Sequence, residues 1–576
     1  MGGPVFWVIF IYSFMGVHGV EVGDSSHIQK KLQSPSEEQQ PYRTAYHFQP
    51  PKNWMNDPNG PMYYKGIYHL FYQYNPYAAV WGNISWGHSV SYDLINWILL
   101  EYAINPTDPY DINGCWSGSA TILPGEKPVI LYTGDDFKKH QVQNLAVPKN
   151  LSDPLLIEWV KSDHNPLMTP VGDIDPNFFR DPTTAWQGPD RIWRVVVGSQ
   201  IDGHGMALLY RSKDFINWTR SQDPLHFSLK TGMWECPDFY PLDIKGENGL
   251  NSSVQGRATK HVLKASFNDH DYYIIGDYEP QTDSFEPQTD FMDSSFQLRY
   301  DYGNFYASKT FYDSSKKRRI LWGWILEADS KTDDINKKWS GLQSMPRRIL
   351  LDKNGKQLIQ WPIKEIEKQR AERVNYQNKE LKGGSVFEIE GVMAAQADVE
   401  VSFDLPNFEE AEFMESQFVD PQLLCSQKNA STRGVIGPFG LLVLASKDLT
   451  ERTAIFFKIF KGHDKYVALL CSDQSRSSFR EEINKTTFGA FIEIDPHREN
   501  ISLRTLIDHS IVESFGDEGR ACITARVYPE LAIGEEAHLY AFNYGSQSVT
   551  ITSLSAWSMK AAQIAPIQKR RRPPVT

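Results

Sequence analysis

The chain has few cysteines, no Cys-x-x-Cys, no pair of histidines spaced for one helical face and no glycine-rich phosphate cradle. A structural zinc site, a redox dithiol and a nucleotide-binding loop are thus left without their ligands, and no metal or cofactor is expected. Positive charge is also short. A net charge of -12 over 576 residues argues against nucleic acid as the main partner. Beyond the N-terminus, no segment offers the roughly 18 consecutive apolar residues of a membrane helix, so no membrane partner is expected.

What is present points outward from the cell. Val5 to Val17 is an apolar run too short to span a bilayer and is followed by small residues, which reads as a signal peptide over 1–19. Sequons at Asn83, Asn150, Asn217, Asn251, Asn429, Asn484 and Asn500 agree with secretion. The five cysteines are too sparse to hold the whole fold, but an oxidising compartment permits one bridge. Cys425 and Cys471, both in the C-terminal half between strand-like runs, are the expected pair. The basic run Lys569-Arg570-Arg571-Arg572 belongs to a tail over 563–576 that reads as a solvated terminus.

A chain of this length forms more than one domain, and its high aromatic share fits a β-rich protein. Ser91-Tyr92-Asp93-Leu94-Ile95-Asn96-Trp97 recurs as Ser212-Lys213-Asp214-Phe215-Ile216-Asn217-Trp218, with a degenerate copy from Ser152 to Trp159 between them. Tryptophans about 60 residues apart suit four-stranded propeller blades. Residues 41–362 have room for about five such units. The charged, helix-compatible stretch after Trp361-Pro362 reads as a linker over 363–380. Strand patterns then resume to form a β-sandwich over 381–562. The expected fold is all-β: an N-terminal five-bladed β-propeller followed by a C-terminal β-sandwich.

Trp54-Met55-Asn56-Asp57-Pro58-Asn59-Gly60 frames one carboxylate with turn formers, and the proline after Asp57 keeps it out of the helical region. Phe179-Arg180-Asp181-Pro182 and Trp234-Glu235-Cys236-Pro237-Asp238 frame two more. Three isolated acids among aromatic, glycine and proline residues suit a sugar-cleaving site better than a metal or phosphate site. Asp-Pro alone is weak evidence, because it recurs elsewhere as ordinary turn chemistry. Cys236 beside Glu235 lacks the histidine that a thiol nucleophile needs. Asp508-His509-Ser510 contains the residue types of a hydrolytic triad. Read as consecutive strand positions, they point to alternating faces and form no relay. The same alternation splits Asp269-His270-Asp271.

These three acid-bearing motifs together resemble glycoside hydrolase family 32, in particular its plant cell-wall invertases and fructan exohydrolases. Trp116-Ser117-Gly118, Arg299-Tyr300-Asp301-Tyr302-Gly303 and Asp508 to Phe515 extend the likeness over nearly the whole mature chain. The resemblance implies a propeller joined to a sandwich and hydrolysis of fructofuranosyl bonds with retention. It makes Asp57 the nucleophile, Glu235 the acid/base and Asp181 the transition-state stabiliser. Asn56, Gln73, Trp81, Trp116, Ser117 and Arg180 match positions lining the terminal-fructose pocket. A retaining pair stands about 5 Å apart, one carboxyl ionised and one protonated. Glu235 is therefore expected to titrate high, Asp57 to be kept ionised by nearby donors, and Asp181 to be kept ionised by Arg180.

Within the family, invertases carry an Asp and a Lys shortly before a His-Asp-Tyr-Tyr stretch, where they hold the glucose half of sucrose. Here that stretch is Ser266-Phe267-Asn268-Asp269-His270-Asp271-Tyr272-Tyr273. It is shorter, no lysine follows Lys264, and Phe267 falls about where the acid is expected. The reading is a fructan exohydrolase, acting on fructan or sucrose. Acid invertase is the first alternative and an inactive fructan-binding propeller the second. A monomer is expected, extracellular in the apoplast or cell wall, with the vacuole as the other compartment.

Overall fold

The computed structural model of the chain describes residues 40–566 apart from 247, 257, 292–296, 405–407, 416–419, 463–464 and 495–499. The expected signal peptide and the run Lys569–Arg572 lie outside the described residues. Five largely antiparallel sheets follow one another from Asn53 to Pro362, and they form the blades of a five-bladed β-propeller. Their first strands are Asn53–Tyr64, Gly114–Leu123, Phe179–Arg180, Glu235–Asp243 and Phe305–Asp313. These strands meet around the centre, and apolar clusters bind each blade to the next. Met62, Phe71 and Trp86 of the first blade, for example, pack on Ile130 and Tyr132 of the second.

The tryptophan repeat has a local cause. Ser91 Oγ accepts from the Leu94 N–H, while Asp93 Oδ1 accepts from Ile95 and Asn96 at 2.9 and 2.8 Å. Ser212 and Asp214 build the same turn with Phe215, Ile216 and Asn217. Asp153 builds a looser one with Leu155 and Ile157. Such side-chain-to-backbone bonds fix a turn without tertiary help. Each turn delivers its tryptophan to the start of a short outer strand: Trp97–Leu99, Trp159–Lys161 or Trp218–Arg220.

Two sheets of six and seven strands form the β-sandwich, closed over one apolar core that includes Phe403, Phe439, Phe457 and Leu503. Two boundaries differ from expectation. The stretch 363–380 is a 3-10 turn, Lys364–Gln369, followed by Arg370–Leu381, a twelve-residue strand that pairs with Val549–Met559. It lies at the sheet edge with most side chains exposed, so its polarity mimics a linker. The tail begins later than 563, because Ile564–Pro566 pairs in parallel with Trp97–Leu99 of the first blade. Cys425 and Cys471 are joined as a disulfide, and Cys115, Cys236 and Cys522 are free and buried.

Propeller and sandwich meet along a seam of buried charges. Asp508 ends the strand Asn500–Asp508, and His509 and Ser510 form the hairpin turn before Ile511–Gly516. The triplet is thus not a run of strand positions, although it forms no relay. Asp508 instead receives the N–H groups of Ala45, Tyr46 and His47 and lies 2.8 Å from His47 Nδ1. Arg347 of the fifth blade pairs with Asp301 at 2.8 Å and with Glu513 of the sandwich at 3.3 Å. Burial alone would push His47 down, but Asp508 and Glu513 hold it up to about 9.

Candidate active site

All five first strands slip by one residue at the same level. The slips lie between Met55 and Pro58, Cys115 and Gly118, Glu235 and Asp238, and Tyr306 and Lys309. In the third blade, Arg180 faces Gly198 while the Thr183 N–H already reaches the Val196 carbonyl. A bulge of this kind re-aims side chains and ends regular pairing. Three of them use left-handed backbone, at Asp181 (φ 67), Cys236 (φ 44) and Ala307 (φ 52). The five bulges converge on one cavity of about 410 Å³.

Asp57, Asp181 and Glu235 all line this cavity, with Asn56, Gln73, Trp81, Trp116 and Arg180. Of the sequence-predicted set only Ser117 does not. It is fully buried and donates to Asp57 Oδ2 at 2.5 Å from behind. Gln73 sits opposite the first bulge, accepts from Asn56 at 3.2 Å and donates to Asp57 Oδ2 at 3.5 Å. Asn56 donates to Asp57 Oδ1 at 3.0 Å and is itself held by Trp54 Nε1 and, at its carbonyl, by Gln343. Trp81 is 57% exposed at the rim, its ring 6.1 Å from that of Trp116.

Sequence reading missed Tyr306, Gln141, Trp324 and the true place of Cys236. Tyr306 Oη donates to Glu235 Oε2 at 2.6 Å, and Arg180 donates to Glu235 Oε1 at 2.7 Å. Gln141 accepts from Arg180 at 3.0 Å and so aims the guanidinium. The Cys236 thiol lies 3.3 Å from Asp57 Oδ2 and 3.5 Å from Asp181 Oδ2, and its N–H donates to Asp181 at 2.8 Å. It is wedged between two carboxylates, and burial pushes its thiol well up. A signal for Tyr306 was its place at a bulge equivalent to the others, since no acid framed by proline marks that bulge.

Electrostatics depart from expectation. Burial pushes Asp57 up to about 6, with the Asp181 and Glu235 charges adding to it and the Ser117 and Asn56 donors opposing it. Burial likewise raises Asp181. Arg180 is committed by hydrogen bond to Glu235 rather than to Asp181 and offsets only part of that rise. One guanidinium is shared among three acids, so a proton is held easily here. Away from the cavity, Glu327, Asp329 and Asp334 bring ligand atoms within 4.8 Å of one another. The Lys337 ammonium stands 3.3 Å from Asp334 and 3.7 Å from Glu327 and fills the place a cation would take.

Phe267 is not in the cavity wall. It is buried and stacks on Tyr272 at 4.3 Å, within a cluster that includes Trp234 and Phe291. Its hairpin turns in two residues, Asn268 (φ 49) and Asp269 (φ 59), with Phe267 paired to His270.

The models of the glycosyl hydrolases family 32 N-terminal and C-terminal domains match residues 47–362 and 363–558. An Arabidopsis thaliana protein named beta-fructofuranosidase, insoluble isoenzyme CWINV1, is 58% identical, covering 96% of this chain and 97% of its own. A Beta vulgaris fructan 6-exohydrolase is 56% identical over 91% of this chain and 88% of its own. The crystal structure of fructan 1-exohydrolase IIa from Cichorium intybus superposes with a TM-score of 0.90 at 58% identity, covering 92% of this chain and 99% of that one. The chain belongs to glycosyl hydrolase family 32 and is a hydrolase of the β-fructofuranosidase and fructan β-fructosidase type.

Proposed function

We propose that the protein is a retaining exo-hydrolase that releases terminal fructose from β-fructans. Asp57 attacks the anomeric carbon while Glu235 protonates the departing oxygen, leaving fructose bound to the Asp57 carboxylate. Glu235 then takes a proton from water, which displaces the sugar and restores both groups. Asp181 accepts hydrogen bonds from ring hydroxyls as positive charge grows on the sugar. The carboxyls share one cavity, so the pH–rate profile reports apparent values of the coupled group.

Preference for fructan over sucrose rests on one observation. Among the described residues, the cavity wall holds no carboxylate beyond Asp57, Asp181 and Glu235, and no ammonium. The two-residue hairpin at Asn268–Asp269 carries one carboxylate, Asp269, but neither residue is part of that wall. Nothing charged is left to grip a glucose unit, a loss of about 1.5–3 kcal/mol for a charge-assisted bond. The reason is the hairpin's place outside the wall and not Phe267, whose ring faces the core. Sucrose hydrolysis is the second reading, favoured by relatives at 58% and 61% identity named beta-fructofuranosidase. Secretion to the cell wall is supported by relatives named insoluble and cell wall isozymes. Among the described residues, no helix is long and apolar enough to cross a membrane.

Parallel incubation with inulin, levan and sucrose is the test. Fructose is expected to leave inulin or levan one unit at a time, about ten- to a hundredfold faster per kcat/KM than it leaves sucrose. Faster cleavage of sucrose than of both polymers makes the protein an invertase.

A further inference from the structure

Behind the cavity, one ion pair fastens the bulge that carries Glu235 to the bulge that carries Tyr306. Lys264 and Asp271 are diagonal neighbours on the paired strands Thr259–Phe267 and His270–Glu279, with Ser266 directly opposite Asp271; their charges are 3.2 Å apart and fully buried. Lys264 Nζ donates to the Cys236 carbonyl at 3.0 Å in the fourth blade and to the Ser308 carbonyl at 2.9 Å in the fifth. Asp271 accepts from the N–H groups of Ala307 and Ser308 at 3.1 and 2.8 Å. Ser266 links the pair, accepting from Lys264 at 2.7 Å and donating to Asp271 at 2.5 Å. Bulges expose backbone groups that lose their sheet partners. Here the partners are supplied by a cation that takes carbonyls and an anion that takes N–H groups. A buried ion pair is weak evidence for stability in itself, since an apolar pair often serves as well. Its use is orientation: neither group reaches the cavity, yet the pair holds the backbone of Cys236 and Ala307, which line it beside Glu235 and Tyr306.

We propose that Lys264, Asp271 and Ser266 are positioning residues for the acid/base step. They act by holding Tyr306 Oη against Glu235. The inference rests on Glu235 being the acid/base. Groups facing Glu235 are Arg180 from the third blade, Asp57 and Asp181 across the cavity, and Tyr306 from the fifth blade; Lys309 of the fifth blade donates to the Pro237 carbonyl and acts on Asp181. The clamp bears on the contact between Tyr306 and Glu235 from both sides, through the Cys236 carbonyl beside Glu235 and through Ala307 and Ser308 beside Tyr306.

The test compares kcat/KM for a fructan with kcat/KM for 4-nitrophenyl β-D-fructofuranoside, whose leaving group departs without a proton. Lys264→Met, Asp271→Asn, Ser266→Ala and Tyr306→Phe are measured across pH, each checked for cooperative thermal unfolding. The expected result is a loss of about ten- to a hundredfold on fructan, under about threefold on the nitrophenyl substrate, and a displaced alkaline limb. Should Lys264→Met or Asp271→Asn not fold, Ser266→Ala decides, because it removes the shared hydroxyl while leaving both charges paired. Equal losses on both substrates with an unmoved alkaline limb overturn the proposal. Glu235→Gln separates the two levels: if the nitrophenyl substrate does not rescue it, the role of Glu235 has failed rather than the clamp.

Discussion

Asp57 in the cavity and Asp508 in the seam are both buried, yet one carboxyl is pushed up to about 6 and the other held below the usual range. Desolvation raises both. The neighbours differ. Asp508 meets three backbone N–H groups and the His47 imidazole, so its charge is compensated on several sides. Asp57 meets Ser117, Asn56 and Cys236, and beyond them two more acids. Compensation makes the seam rigid. Its shortage in the cavity leaves Asp57 with a raised value, which suits the nucleophile role proposed for it. The molecule thus separates compensated charges at the domain seam from uncompensated charges around the cavity.

The largest expected difference comes from removing each acid. Asp57→Ala, like Glu235→Ala, is expected to lower kcat by about four orders of magnitude or more while the protein unfolds as cooperatively as before. Asp508→Ala is expected to do the reverse. It costs about 3–5 kcal/mol by leaving the N–H groups of Ala45, Tyr46 and His47 and one side of the buried His47 ring without their acceptor, and the folded fraction retains its specific activity. Denaturant titration and initial rates on the same samples check both; near-native turnover in folded Asp57→Ala removes the contrast.

A second expectation concerns pH in the seam. His47 is held at about 9 when folded, against about 6.5 in an unfolded chain. Its folded value is the higher, so its stabilisation is complete below about pH 6.5 and lost as pH rises through about 9. The stability gap between the native protein and His47→Gln, on the order of 2 kcal/mol at pH 6, is therefore expected to close by pH 10. A gap that stays constant over this range shows that His47 is neutral.

The smallest effect sharpens the comparison from the other side. Asp57 also has the higher value when folded, so its ionisation costs stability as pH rises from about 4 through about 6. Asp57→Asn is expected to raise stability by on the order of 2 kcal/mol at pH 7 and by nothing measurable at pH 3.5. Thermal unfolding at the two pH values checks this, and destabilisation at pH 7 places Asp57 among the compensated acids.

The edge strand Arg370–Leu381 and the hairpin turn at Asp508 show where sequence reading fails. The strand alternates only briefly, at Val374 and Tyr376, and exposes charged residues on both faces elsewhere, so a period of two is short in it. Asp508-His509-Ser510 sits between two apolar runs that read as one strand until pairing places a turn there. Phe267 was read as standing where a sugar-binding acid is expected, but packing against Tyr272 and Trp234 turns its ring into the core.

The sequence by itself determined the turn chemistry of the blades and the three framed acids. Serine, aspartate and proline constrain backbone within a few residues, whatever lies far away. It also determined the all-β class and the two-domain order. Only the tertiary structure decided which acids share a guanidinium, which side chain holds Glu235, and how much positive charge the cavity lacks. Those properties arise where five bulges from strands up to about 250 residues apart meet, and the energy of a charge depends on what surrounds it rather than on what precedes it in the chain.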